Sequence, residues 1–263
     1  MAIQVAQFFQ RKSSDLNLRE PVGNSVSPLS WFLKITTLLA VTLLCLVPPN
    51  VIFAQTPPSP NLGEFHEIPI LGTTYNQDWE PVGVVAKVDI LFEKRWDHEG
   101  LRIQFATQPG RFSETAQKAV IQAISRVADA SELDAQSWTV TLSLPYPGVT
   151  MYGESLSAMV ALSVMAMAKG DPLPPDRVVT GTVTSDGHIG MVGGVPLKIL
   201  AAHKEHLRRV LIPEERDVAD GDWENPFLME VTPVGSIRMA YQQLTDRPLT
   251  TVNSVTHAFY TLP

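Results

Sequence analysis

Residues 156–168 read LSAMVALSVMAMA, apolar at nearly every position of what the spacing predicts to be a helix. A helix without a polar face has to be surrounded by protein, so the rest of the chain must supply layers on all sides of it. The 263 residues are 44% apolar and 18% charged, a profile of a globular chain and not of a disordered or fibrous one.

Elements on either side of this core helix supply those layers. Residues 113–127 carry Ala116, Ala119, Val120, Ala123, Ile124 and Val127 at helical spacing behind Ser113, a capping residue type. Residues 84–90 and 101–105 have strand spacing and read as an antiparallel pair around turn material at 97–100. Further strands are expected at 138–144, 178–184, 210–212 and 229–231, with helices at 196–207 and 236–244. The fold class is therefore α+β, with mixed sheets packed with helices in one domain over residues 64–263.

The segment before it has another character. Residues 35–47, ITTLLAVTLLCLV, form a charge-free apolar run with Lys34 before it and Pro48-Pro49 after it. The run is short for a bilayer span and suits the apolar part of an export signal, cleaved after Ala54. Extended over residues 31–53, it reads instead as a signal anchor and membrane tether. Residues 1–54 are thus expected to form an N-terminal extension with a signal peptide or anchor. Residues 55–63 follow as a Pro-rich linker. Either reading puts the folded domain outside the cytoplasm, exported or membrane-anchored. Cys45, the single cysteine, lies in this segment and leaves the domain without a disulfide.

Lys and Arg total 20 against 27 Asp and Glu, a net charge of −7, so there is no basic field to hold a nucleic acid. Without cysteine the domain has no Cys-type zinc site. His203 and His206 fall on what reads as a wet helix face, so no metal and no cofactor are expected.

Three patterns carry the chemistry: Gly153-Glu154-Ser155 opening the core helix, Thr180-Gly181, and Gly193-Gly194-Val195-Pro196-Leu197-Lys198 opening the next helix. A serine at a helix start is by itself most often a cap. Lys198 stands among Val195, Leu197, Ile199 and Leu200, company that would desolvate its ammonium, lower its pKa and free a neutral amine to act as a base.

In order and spacing these residues resemble the proteolytic domain of Lon, a serine peptidase with a Ser-Lys dyad. The likeness runs through Thr180-Gly181-Thr182-Val183-Thr184, Gly187-His188-Ile189-Gly190, Lys198-Ile199-Leu200-Ala201-Ala202 and Val210-Leu211-Ile212-Pro213, and covers most of residues 80–245. It implies a Lon-type fold, Ser155 as nucleophile, Lys198 as general base, Thr180 as hydrogen-bond partner of the lysine, and Gly153 as the residue that keeps the approach open. It also implies polypeptide substrates and assembly into a hexameric ring. The chain has no Gly-x4-Gly-Lys-[Ser/Thr] phosphate loop, so the expected activity is an ATP-independent endopeptidase acting on exposed or unfolded segments.

The family pattern has Pro between the glycine and the serine and Ala-Gly after it, where this chain has Glu154, Leu156 and Ser157; Tyr152 stands where Asp is usual. Close to Lys198, Glu154 would raise the lysine pKa and oppose base action. Ser157 and Ser163 are expected to pack and to bond backbone. A catalytically inactive Lon-like domain, an envelope binding or scaffold module with Ser155 as a cap and Lys198 charged, is the alternative. An α/β-hydrolase triad of Ser155 with Asp217, Asp220 or Asp222 and His257 has the right chain order but lacks the final glycine of its elbow.

Overall fold

A computed structural model describes residues 63–249. The signal or anchor segment, nearly all of the linker, and His257 lie outside the described residues. Among the described residues no helix is long and apolar enough to cross a membrane.

The chain starts as a long hairpin. Strands β1 (Glu64–Tyr75) and β2 (Pro81–Lys94) pair antiparallel from Glu64↔Phe92 to Tyr75↔Pro81. Short strands β3 (Arg102–Phe105) and β4 (Arg111–Phe112) lead to helix α1 (Glu114–Ala130), then β5 (Trp138–Ser143) and β6 (Thr150–Met151) to helix α2 (Ser157–Lys169). The sheet order β1-β2-β5-β3 places β5 between two strands that are neighbours in sequence. The second half holds β7 (Arg177–Val179), β8 (Thr182–Val183), β9 (Ile189–Gly190), helix α3 (Val195–Lys204), β10 (Arg209–Pro213), β11 (Glu230–Val234) and helix α4 (Ile237–Thr245). Here β11-β10-β7 form a parallel sheet and β8-β9 a two-stranded ribbon. The mixed α+β architecture agrees with the class read from the sequence.

Helix α2 is the pivot. Every residue from Ser157 to Ala168 is buried, and the helix packs against α1, α4, β1, β2, β7 and β8, so both main sheets close on it. Its apolar side chains sit in one continuous core with Val88 and Ile90 of β2, Val140 and Leu142 of β5, and Val210 and Leu211 of β10. Gly170, in the left-handed region at φ 69, ends the helix as a C-cap that costs glycine no steric strain.

Several expectations are corrected. The strands at 84–90 and 101–105 are not partners: β2 pairs with β1 on one side and β5 on the other, and β3 lies parallel to β5. Strand β1, unassigned from sequence, carries Pro69 and Gly72, which weaken a strand signal but are tolerated on a sheet edge. The expected strand 178–184 divides at Thr180-Gly181, because Thr180 donates to Leu211 O at 2.9 Å while Gly181 turns to the start of α2. Ser157 and Ser163 do not bond backbone; their hydroxyls are buried without a hydrogen-bond partner.

Candidate active site

Between β6 and α2 the chain bends through Gly153, whose φ of 88° is one that side chains rarely adopt. Nothing lies within 4 Å of a Cβ built there, so glycine is required for conformation and not for space. Ser155 follows in the turn, half-buried. The N-cap of α2 is Leu156, with no side-chain capping bond, and among the described residues Ser155 Oγ makes no hydrogen bond. Ser155 is therefore not the helix cap that its position suggests.

Backbone bonds tie this turn to the second motif. Gly181 N–H donates to Ser155 O at 2.9 Å, and Ala158 N–H donates to Gly181 O at 3.2 Å. The adjacent Thr180 is wholly buried, and Lys198 Nζ donates to its Oγ1 at 3.2 Å. Thr180 thus stands between the serine turn and the lysine. No hydrogen bond links Lys198 Nζ directly to Ser155 Oγ, a separation common in catalytic groups before substrate tightens the site.

Lys198 reaches this point because α3 lies against the β1–β2 hairpin. A Cβ on Gly83 of β2 would fall 1.9 Å from Leu197 O, so only glycine allows the helix this close. The lysine is 3% exposed. Burial disfavours its ammonium and brings its pKa down from 10.5 to about 8, against an opposing pull from the Asp220 carboxylate.

Asp220 is the residue that sequence reasoning misplaced. Its Oδ1 accepts from Gly194 N–H at 2.8 Å and its Oδ2 from Val195 N–H at 3.0 Å, closing the free N-terminus of α3. Lys198 N–H donates to Gly194 O at 3.0 Å, so the carboxylate holds the turn on which the lysine is mounted. One signal was available: α3 starts at Gly194-Val195-Pro196, with no side chain of its own to cap it. Glu154, by contrast, is not among the groups that act on Lys198; it lines a cavity together with Arg126 and Ser157.

The remaining sequence candidates are elsewhere. Asp217 accepts from Ala219 N–H, a local turn bond. His203 and His206 are exposed, and the His203 ring stacks on Phe227 with centroids 3.9 Å apart. Among the described residues no cluster of His, Cys, Asp and Glu could hold a metal ion.

A serine whose Oγ is unbonded thus lies at the entrance of a buried helix, tied through Gly181 to a buried threonine–lysine pair. Residues 109–225 match the model of the Lon protease (S16) C-terminal proteolytic domain. A peroxisomal Lon protease homolog 2 of Caenorhabditis briggsae is 37% identical over 78 residues, 30% of this chain and 10% of that protein. A Lon protease of Clostridioides difficile is 28% identical over 153 residues, 56% of this chain and 19% of that protein. An archaeal Lon protease of Archaeoglobus fulgidus is 29% identical over 140 residues, 52% and 22% respectively. Over these residues the chain is similar to the Lon proteolytic domain, and its mixed α+β fold is consistent with one. The chain spans only 10% to 22% of the length of these relatives.

Proposed function

We propose that the chain is an ATP-independent serine endopeptidase that cuts exposed or unfolded polypeptide segments through a Ser155–Lys198 dyad. The observation that carries this is the state of Lys198: 3% exposed, bonded to Thr180, and shifted by burial to a pKa of about 8. A lysine so placed supplies neutral amine near physiological pH, which an exposed lysine does not.

The neutral Lys198 amine takes the proton of Ser155 as Oγ attacks the peptide carbonyl. The resulting ammonium returns that proton to the leaving amine, an acyl-enzyme remains on Ser155, and the amine then deprotonates the water that hydrolyses it. Thr180 Oγ1 holds the amine in place, and Asp220 holds the helix turn behind it. Ser157 N–H is taken by Glu154 O and Ala158 N–H by Gly181 O, so oxyanion donors at this turn must come from residues 154–156.

Residues 1–54 as export signal or anchor, delivery outside the cytoplasm, and assembly into a hexameric ring belong to the same proposal. Turnover of an unfolded protein without nucleotide, measured from pH 6 to 10, tests it. Activity is expected to rise through about pH 8 and to vanish in Ser155→Ala and in Lys198→Ala. A folded parent chain with no turnover at any pH favours the inactive binding or scaffold module.

A further inference from the structure

A cavity of about 230 Å³ opens beside the Ser155 turn, between α1 and β8. Its lining includes Glu154 and Ser157, the residues that bracket Ser155 and Leu156, with Gln122 and Arg126 of α1 and Thr182 of β8. We propose that this cavity is a substrate side-chain subsite for a primary amide, the side chain of Gln or Asn next to the scissile bond. The inference rests on the peptidase reading above.

The chemistry of the walls selects the ligand. Ser157, which lines the cavity, is 1% exposed, and its Oγ has no hydrogen-bond partner among the described residues, so a ligand that reaches it gains a bond the fold leaves unmade. Glu154 offers only acceptors. Arg126 offers only donors, one of which is given to Val183 O. Lys118, also in the lining, is paired with Glu114 at 2.6 Å, which leaves Arg126 and Glu154 as the lining charges of opposite sign. A carboxylate ligand would confront Glu154, an ammonium would confront Arg126, and an aliphatic side chain would leave the Ser157 hydroxyl bare. An amide presents N–H to Glu154 and C=O to Arg126 and Ser157.

Both wall residues from the serine turn are departures from the Lon pattern. With Pro and Gly at positions 154 and 157 the cavity would lose its acceptor and its desolvated hydroxyl together. The departures that first read as a threat to catalysis therefore define a selectivity of this chain.

The test uses the full chain and four fluorogenic peptides that differ in one residue beside the scissile bond: Gln, Glu, Lys or Leu. We expect kcat/KM for the Gln peptide to exceed the other three by about tenfold or more, and the ratio to fall below about threefold in Glu154→Ala/Ser157→Ala. Circular dichroism checks that this variant folds. Equal rates on all four peptides, or a preference unchanged in the variant, overturns the subsite while leaving the peptidase intact. Anisotropy measurements with the Gln and Leu peptides on Ser155→Ala need no turnover. A Gln preference in binding, with no cleavage by the parent, keeps the subsite and removes the peptidase reading.

Discussion

At the residue scale Lys198, the base of the proposed mechanism, is also a cost to the fold. The unfolded chain keeps the Lys198 proton up to about 10.5 and the folded chain only up to about 8, so across that window the unfolded state binds more protons. The stability contribution of this group therefore rises with pH from about 8 to 10.5, and below that window the buried ammonium is a constant penalty. Lys198→Met is expected to stabilise the domain by about 1–2 kcal/mol at pH 7, with the gain gone by about pH 10.5. Urea unfolding at the two pH values measures it, and destabilisation at pH 7 would speak against a strained lysine. Asp220 pulls in the other direction. Asp220→Asn removes the charge that favours the ammonium, so the acid limb of the kcat/KM profile should move to lower pH. The same change weakens the bonds to Gly194 and Val195 and should cost about 1 kcal/mol of stability. A structural cap alone would give the stability loss without the pH shift.

At the element scale the site depends on how closely α3 approaches the hairpin. Gly83→Ala would set a Cβ against Leu197 O, beside Lys198, and the helix backbone would have to move. Expected are a loss of about 1–3 kcal/mol in a thermal or urea melt and a fall in turnover of about tenfold or more. Unchanged turnover would show that the lysine tolerates a shifted helix. The elements also show what the sequence could disclose. Helix α1 was legible because its buried positions Ala116, Val120, Ala123, Ile124 and Val127 repeat at helical spacing, and because Ser113 accepts from Ala116 N–H as a cap. Strand β1 was not, since an edge strand interrupted by Pro69 and Gly72 has no local signal and is defined by its long-range pairing with β2. Pairing of β3 with β5, across α1, is likewise a tertiary choice that residue spacing does not encode.

At the scale of the whole molecule, the core around α2 brings three separated motifs to one place. Ser155, Thr180 and Lys198 stand out in the sequence by type and order because each sits at the junction of a glycine-containing turn with an apolar element, and the fold bonds Lys198 to Thr180 and Gly181 to Ser155. Asp220 was not, because an acidic loop looks like a solvated turn until the chain folds it onto Gly194 and Val195. The cavity beside the serine was equally hidden, since α1 and β8 meet there only in the fold. One measurement addresses the central claim that this convergence makes Ser155 a lysine-activated nucleophile. The full chain is treated with a serine-directed fluorophosphonate, and the adduct is located by peptide mass spectrometry from pH 6 to 10. The account predicts a single modified residue, Ser155, labelled at a rate that rises through about pH 8 and is lost in Lys198→Met. No adduct on Ser155, or labelling as fast in Lys198→Met as in the parent chain, would contradict it.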